Sequence, residues 1–193
     1  MLYLASQSPR RAELLRQIGI QFDIIDGDID ETPKENESPA QTVARLSLQK
    51  AKKGTQQLPD LQSNDWVLAS DTLIAIDDRV IGKPESELHC REILQLLSAR
   101  EHQVLTAIAL VNKQGEIHQA TSYNKIRFRN IRPQEIEQYC QLQEPRDKAG
   151  AYAIQGRAAI FIENLQGSYS AVMGLPLFET AQLLQKVGFN LLG

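Results

Sequence analysis

Short apolar runs alternate with helix-forming segments along the whole chain, and this alternation restricts the fold more than any other feature. Residues 2–5 form an apolar run that predicts a strand, and Ser8 with Pro9 predicts the N-cap and first residue of a helix. Ser38 and Pro39 repeat this helix start, with a capping box. Strands separated by helices are typical of α/β proteins, so we predict that class.

The other predicted elements follow from the same patterns. We predict further strands at residues 21–25, 66–69, 73–76, 102–111, 116–128 and 159–162, and helices that end at Gly19 and Gly54 or span 85–97, 133–142 and 176–188. The acidic stretch 26–38 is expected to be a loop. Residues 70–72 are expected to interrupt a strand, and Asp77 with Asp78 is expected to form a turn.

Length and charge exclude some classes of protein. A chain of 193 residues can form one large domain or two lobes that share a cleft, and both remain open at this point. The formal net charge of −3 argues against a nucleic-acid binder, which usually carries a basic excess. A small anionic substrate is compatible with this charge, because a few well-placed cations are sufficient to bind it.

The cysteine content and the apolar runs predict the location. Cys90 and Cys140 are too few for a disulfide framework, so each is expected to be a buried or incidental thiol. The N-terminus does not resemble a signal peptide, and no segment approaches the roughly 20 apolar residues that a membrane helix needs. We therefore expect a cytoplasmic protein.

The segment from Ser8 to Arg11 is a candidate phosphate site. A helix N-terminus presents unpaired N–H groups and a partial positive charge, which attract anions. Arg10 and Arg11 have the wrong sign for this helix dipole, and a bound phosphate would explain their presence because guanidinium groups match phosphate oxygens. An equally good interpretation is that both arginines face water.

Asp71 is the candidate catalytic residue. It lies in a Ser-Asp-Thr segment between apolar runs, where a carboxylate is unfavourable unless it is paired or functional. Such a residue can bind a divalent metal or accept a proton from an attacking water. The alternative, that Asp71 caps a bend or pairs with a lysine, has equal weight.

Two lysines and one glutamate are candidate partners of Asp71. Lys50 near a helix end and Glu31 in the acidic loop are each more simply explained as structural or solvated residues when considered alone. Lys83, on a tight loop before a helix, has equal chances of reaching a phosphate and of being solvated.

The segment 147–156 combines small residues, a charge pair, an aromatic ring and an amide, and is a candidate base-binding loop. Tyr152 is suited to stacking on a base, although core packing explains it equally well, and Gln155 is suited to hydrogen bonding with a base edge. Gly-containing turns at 167–169 and 174–176 are expected near the same cleft. The three histidines, His89, His102 and His118, are expected to be structural or solvated.

Together these segments resemble the Maf-like nucleotide pyrophosphatases. The matching pieces follow the order expected for that family and span nearly the whole chain: LASQSPRRAELL, Glu31, the helix with Arg45 and Lys50, ASDT, GKP, DKAGAYAIQG and GSYSAVMGLP. The resemblance implies one α/β domain over residues 1–193, elongated, with two lobes around a central cleft, similar to the inosine triphosphate pyrophosphatases. It also implies frequent assembly as a homodimer.

The resemblance further implies an activity: hydrolysis of a nucleoside triphosphate to the monophosphate and pyrophosphate, with a divalent cation such as Mg²⁺, Mn²⁺ or Co²⁺. It makes Asp71 the general base and a metal ligand, and Glu31 a metal or water partner. The residues that it places against the phosphates are Ser8, Arg10, Arg11, Lys50 and Lys83.

The resemblance also extends to substrate choice. Arg10, Thr72 and Gln155 match the branch of the family that acts on dTTP and UTP. The sister branch prefers 7-methyl-GTP and has Glu in place of Gln155.

Three other functions are alternatives to this one. They are the same chemistry on 7-methyl-GTP or a modified pyrimidine nucleotide, a non-catalytic nucleotide-sensing regulator of cell division, and a P-loop phosphotransferase. The sequence lacks GxxxxGK[ST], which argues against the last of them.

Overall fold

A computed structural model describes residues 1–32 and 34–192 of the chain. The strands in this part are β1 (Leu2–Ala5), β2 (Asp23–Ile25), β3 (Trp66–Ile76), β4 (Arg79–Ile81), β5 (Glu101–Asn112), β6 (Ile117–Phe128) and β7 (Ile162–Gln166). The helices are α1 (Pro9–Gln17), α2 (Pro39–Gln56), α3 (Glu87–Leu97), α4 (Pro133–Cys140), α5 (Tyr169–Met173) and α6 (Leu177–Lys186). Short 3₁₀ helices span Ala149–Ala151 and Arg157–Phe161.

The seven described strands form one mixed sheet in the order β2-β1-β3-β5-β6-β7, with β4 also paired to β3. β1 runs parallel to β2 and β3, whereas the pairs β3–β5, β5–β6 and β6–β7 are antiparallel. This architecture confirms the predicted α/β class.

One edge of β3 has a gap, and this gap creates the cleft. β5 covers one edge of β3 from Trp66 to Ala75. On the other edge, β1 pairs with residues 66–68 and β4 with residues 74–76. Within the described residues no strand pairs with 69–73 on that edge. Side chains from both faces of β3 therefore reach the same opening.

On the face of the sheet that carries Ser70 and Thr72, the apolar core forms two clusters at opposite ends of the long strands. One cluster packs Leu2 and Leu4 of β1 with Leu15 of α1 and residues 66 and 68 of β3. Another lies beyond the gap and contains Ile74, with residues of α3, α4 and the 149–161 region. Between them, β3 and β5 present Ser70, Thr72 and Thr106. The two clusters correspond to the two predicted lobes, and the polar positions lie between them.

Two predicted element boundaries were wrong at the site itself. The segment 70–72 does not interrupt a strand, because β3 is continuous and Asp71 stays in register with Ala107 of β5. α2 does not end at Gly54, since it continues to Gln56. Gly54 is required there for packing: a Cβ atom would lie 2.8 Å from side-chain atoms of both Ile25 and Val67. Lys50 therefore lies well inside α2.

Some smaller elements also differ from the predictions. The last strand begins at Ile162, because residues 157–161 form a 3₁₀ helix. The short strand β4 and the one-turn helix α5 were not predicted. The Asp77-Asp78 turn is confirmed, and both residues have positive φ values, as tight hairpin turns require.

The prediction that Cys90 and Cys140 are separate thiols was wrong. α3 and α4 pack side by side, bringing the two Cα atoms to 5.9 Å, and the sulfur atoms form a disulfide. A contact between residues 50 positions apart leaves no signal in their sequence spacing.

Among the described residues, no helix is both long and apolar enough to span a bilayer.

Candidate active site

A cavity of about 480 Å³ opens at the gap in the β3 edge. This volume is within the range of about 300–1,000 Å³ that is usual for small-molecule sites. All nine residues selected from the sequence line it: Ser8, Arg10, Arg11, Glu31, Lys50, Asp71, Thr72, Lys83 and Gln155. The structure thus brings together residues that lie up to 147 positions apart, and their individual roles remain predictions.

The N-terminus of α1 forms one wall of the cavity. β1 leads into Ser8, the N-cap, and Pro9 begins the helix. The Ser8 side chain makes no capping hydrogen bond, and the first turn holds no acidic residue. The N–H groups of the first turn lack partners within the helix, as at every helix N-terminus. This end of the cavity is suited to binding an anion.

Arg11 is held firmly at this wall. Its Nε donates to the carbonyl oxygen of Gly174 at 2.9 Å, and its Nη1 donates to Ser6 Oγ at 3.2 Å. Burial lowers the pKa of the guanidinium, and the nearby Asp71 opposes this shift. An arginine remains charged under any ordinary condition, so a fixed positive charge faces the cavity.

Lys50 joins two carboxylates across the cleft. Its Nζ lies 2.6 Å from Asp71 Oδ1 and 2.5 Å from Glu31 Oε1. The buried face of α2 includes Val43, Ser47 and Lys50, at helical spacing, which directs Lys50 towards the sheet. Lys50 and Asp71 are 8% and 6% exposed, so neither group is well solvated.

The two carboxylates of this group differ in their affinity for a proton. Burial raises the pKa of Asp71 above its usual value, and the charges of Lys50 and Arg11 compensate only in part. Burial acts in the same direction on Glu31, but the hydrogen bond and charge of Lys50 outweigh it and leave the pKa of Glu31 lowered. A buried carboxyl with a raised pKa is the better proton acceptor of the two.

Lys83 reaches the cavity from the loop after β4. That loop is tied to the 147–156 segment, since the N–H of Gly150 donates to the carbonyl oxygen of Gly82 at 3.0 Å. Gly150 has φ +68°, and a Cβ atom there would lie 2.5 Å from Ile74 Cδ1. Only glycine fits this position, which explains one glycine of the DKAG segment.

Gln155 lies at the exposed rim of the cavity, on a turn that a glutamate holds in place. The Glu144 carboxylate accepts hydrogen bonds from the N–H groups of Arg157 and Ala158 at 2.9 and 3.2 Å, and from the hydroxyl of Tyr139 at 2.8 Å. The turn that carries Gln155 is therefore fixed without using the Gln155 side chain.

Tyr152 is packed in the core, which decides between the two interpretations of this residue. It lines the cavity but is only 5% exposed, and its ring makes edge contacts with Phe128 and His102. His102 is also buried and bonds through Nε2 to the Tyr152 hydroxyl at 2.8 Å. The structural role predicted for His102 is confirmed.

Of the two predicted glycine turns, Gly174 lines the cavity, whereas Ser168 and Tyr169 line a separate surface groove.

Sequence reasoning missed Thr106, which the structure places next to Thr72. The two Oγ1 atoms lie 3.0 Å apart, and Thr106 is fully buried. Thr106 stands inside the apolar run of residues 104–111, but a threonine is easily accommodated in a strand, so its hydroxyl gives no local signal of a site.

Few described residues are arranged to hold a metal ion. No group of three or more His, Cys, Asp or Glu residues with metal-binding geometry occurs in the part of the chain that the structure describes. Asp71 and Glu31 each use one oxygen on Lys50, so each carboxylate retains one further oxygen. Two carboxylates suit Mg²⁺ or a similar ion, which usually completes its coordination with substrate phosphates and water.

Known proteins share both the fold and the sequence. The Staphylococcus aureus Ham1 protein has a similar structure, with a TM-score of 0.54 and 15% identity over 96% of this chain and 98% of that one. A protein of Nitrosospira multiformis named dTTP/UTP pyrophosphatase is 47% identical, over 96% of this chain and 93% of that protein. A protein of the same name from Nitrosomonas europaea is 48% identical, over 98% and 95%.

The fold is thus of the same class as that of the Ham1 protein. The model of the Maf-like protein family matches residues 1–187. This chain belongs to the Maf-like protein family.

Proposed function

We propose that this protein hydrolyses dTTP and UTP to the nucleoside monophosphate and pyrophosphate. Family membership and relatives of that name at 47–48% identity support this substrate class. The cavity supports it as well, since its lining combines cations, which would neutralise a triphosphate, with apolar side chains, which would cover a base.

The arrangement of Asp71 is the single observation on which this proposal rests. Its carboxylate is buried, held by Lys50, and shares the cavity with the N-terminus of α1 and with Arg11. A carboxylate beside a phosphate site would weaken binding if the site only bound nucleotides. A proton acceptor placed next to phosphate-binding groups instead favours hydrolysis.

The phosphates would bind at Ser8, Arg10 and Arg11, with Lys83 reaching them from the opposite side of the cleft. Asp71 would take a proton from a water molecule that attacks the α-phosphorus, and the bond from that phosphorus to the bridging oxygen of the β-phosphate would break. Arg11 and Lys83 would stabilise the charge that develops on the departing pyrophosphate. Positioning and electrostatics supply most of the catalysis in reactions of this kind.

A divalent cation fits this site. Glu31 and Asp71 would hold it, each through the oxygen that Lys50 does not use, and the phosphates would complete its coordination. Bound there, Mg²⁺, Mn²⁺ or Co²⁺ would neutralise phosphate charge and polarise the attacked group.

Substitution of Asp71 tests the role of the base. Asp71→Asn preserves shape and is expected to lower kcat on UTP by at least about 10³-fold, because it removes the proton acceptor while the fold is retained. Asp77→Asn, at the turn that ends the same strand, is the matched control and should retain wild-type activity. Circular dichroism checks the fold, and a variant with Asp71→Asn that is nearly as active as wild type would show that another group is the base.

Product identification tests the bond that is cut. We expect UMP and pyrophosphate from UTP, and a release of UDP and phosphate would overturn the proposal. A panel with dTTP, UTP, CTP and 7-methyl-GTP separates this activity from that of the sister branch. Tight UTP binding without turnover in Mg²⁺ or Mn²⁺ would favour a nucleotide-sensing regulator.

Assembly as a homodimer and a cytoplasmic location remain predictions. Sedimentation of the purified protein and its fractionation from cells would test them.

A further inference from the structure

Thr72 and Thr106 form a hydrogen-bonded chain whose direction can be deduced. Thr106 Oγ1 lies 2.7 Å from the carbonyl oxygen of Ala171, in the middle of the short helix α5. A carbonyl oxygen has no hydrogen, so the single hydrogen of the Thr106 hydroxyl must lie in this bond. Thr72 Oγ1 lies 3.0 Å from Thr106 Oγ1. Thr72 must therefore donate its own hydrogen to Thr106.

This direction limits what Thr72 can offer to the cavity. Its hydroxyl hydrogen is used on Thr106, so only the lone pairs of its oxygen remain for a ligand. Thr106 and Ala171 are both fully buried, which prevents water from competing for these bonds. Thr72, which lines the cavity, is thus held as a hydrogen-bond acceptor.

The position of Thr72 indicates which part of a nucleotide it meets. It lies on the opposite face of β3 from Asp71, because successive residues of a strand alternate. On its own face, the next cross-strand pair is Ile74 with Val104, and both side chains line the cavity. Val172 and Met173 also line it. Thr72 is therefore a polar group next to apolar side chains of the cavity lining, where a base would be buried.

We propose that Thr106 is a positioning residue that makes the site selective for a pyrimidine base carrying a hydrogen on N3. Uracil and thymine carry that hydrogen and would donate it to Thr72 Oγ1, whereas N3 of cytosine is an acceptor and would face the lone pairs of Thr72. A hydrogen-bonding site rejects a ligand that leaves its buried polar group unpaired. This inference depends on the proposed binding of a nucleoside triphosphate in this cavity.

The test compares UTP with CTP. Thr106→Val keeps the volume but releases the Thr72 hydroxyl, which is then free to donate to cytosine. We expect the ratio of kcat/KM for UTP to that for CTP to fall about tenfold, the effect of one hydrogen bond. Thr106→Ser retains the chain and should keep the wild-type ratio. An unchanged ratio in Thr106→Val, or a loss in Thr106→Ser as large as in Thr106→Val, would overturn the proposal.

Ser70→Ala is the matched control for packing. The Ser70 hydroxyl donates to the carbonyl oxygen of Gly174 at 2.7 Å, so this residue contacts the end of α5 without touching Thr72. Its loss should affect UTP and CTP in the same proportion. If Ser70→Ala lowers the ratio as much as Thr106→Val, the effect is a general loosening of α5, and the proposal fails.

A double-mutant cycle tests whether Thr106 acts through Thr72. Thr72→Val should lower the ratio as well, and Thr106→Val should add nothing to it in the double variant. Additive effects would contradict the proposal. If Thr106→Val does not fold, Thr72→Val and Thr106→Ser still test the proposal. A wild-type ratio of kcat/KM for UTP to that for CTP in Thr72→Val would refute the proposal.

Binding measurements separate this inference from the proposed function. Calorimetry with UMP and CMP reports base selection without hydrolysis. A wild-type protein that hydrolyses no triphosphate but prefers UMP, and loses that preference in Thr106→Val, would contradict the proposed activity and support the role of Thr106. A wild-type protein that does not distinguish UMP from CMP would overturn the role of Thr106.

Discussion

Two groups of buried polar side chains lie on adjacent strands, and their surroundings differ. Asp71 on β3 is bonded to Lys50, shares the cavity with Arg11 and has a raised pKa. His102 on β5 is bonded only to Tyr152, and burial lowers its pKa to about 4. His102 Nδ1 has no hydrogen-bond partner within the described residues.

The difference lies in the charges around each group. Burial also raises the pKa of Tyr152, so His102 and Tyr152 are both neutral near pH 7 and pack as part of the core. Asp71 is surrounded by cations and opens onto a cavity, which lets it interact with a ligand. Burial of a polar residue is therefore a weak indicator of a site, and convergence of opposite charges on a cavity is a stronger one.

The largest expected effect comes from breaking the charged group. Lys50→Met removes the cation shared by Asp71 and Glu31, and should lower kcat/KM on UTP by about 10³-fold, because the phosphates and both carboxylates lose their partner. Lys52→Met, an exposed position on the same helix, should retain wild-type activity. Activity of Lys50→Met within tenfold of wild type would mean that Lys50 is structural.

The stability of the same variant should depend on pH. Without Lys50, the pKa of Asp71 rises further above its value in the unfolded chain. Between these two pKa values the folded state binds more protons than the unfolded state. Stability should then fall as pH rises above about 4, the pKa of an unfolded aspartate, so the loss relative to wild type should be larger at pH 8, where we expect about 3 kcal/mol, than at pH 5. Urea unfolding measures this, with Lys52→Met as the control. An equal loss at both pH values would contradict the assigned pairing.

A smaller effect with the opposite sign is expected for His102. Its folded pKa of about 4 lies below that of an unfolded histidine, so the unfolded state binds more protons between about pH 6.5 and 4. Stability is fully present above pH 6.5 and falls with acidification, by up to about 3 kcal/mol for this group. His102→Gln should reduce the difference in unfolding free energy between pH 7 and pH 4.5, measured in urea. Identical differences in the variant and wild type would show that His102 is not the group responsible.

The smallest effect should be that of His102→Gln on catalysis. Because His102 touches the cavity only through Tyr152, kcat/KM on UTP at pH 7.5 should stay within about threefold of wild type. A loss comparable to that of Lys50→Met would remove the distinction between the two groups.

Arg10, Arg11 and Asp71 could be selected as candidates from the local sequence because each breaks a local rule, whereas Glu31, Lys50 and Lys83 became candidates through the family resemblance. Arginines in the first turn of a helix and an aspartate in an apolar strand are unfavourable there unless something compensates for them. Helix starts give a local signal of another kind: a proline at the first helical position of α1 and α2 and, at Ser38, a side chain that satisfies a nearby N–H group. These signals are local in the chain, so they survive without a structure.

Thr106 and the cysteine pair left no such local signal. A threonine fits any strand, and its importance arises only from the contact with Thr72 and Ala171. Gly54 gave a misleading signal, since it suggested the end of a helix whereas it is required by contact with residues 25 and 67. In each case the decisive partner lies far along the chain.

The sequence by itself determined the α/β class, the order of most elements and the candidate residues that line the cavity. Only the tertiary structure decided that β3 runs unbroken past a gap in its edge, so that Asp71 and Thr72, on opposite faces of one strand, meet the same cavity. The physical reason is the range of the interactions. Helix caps, apolar periodicity and unfavourably placed charges can be recognised from residues that are near neighbours in the chain. Strand pairing and the direction of buried hydrogen bonds depend on residues that only folding brings together.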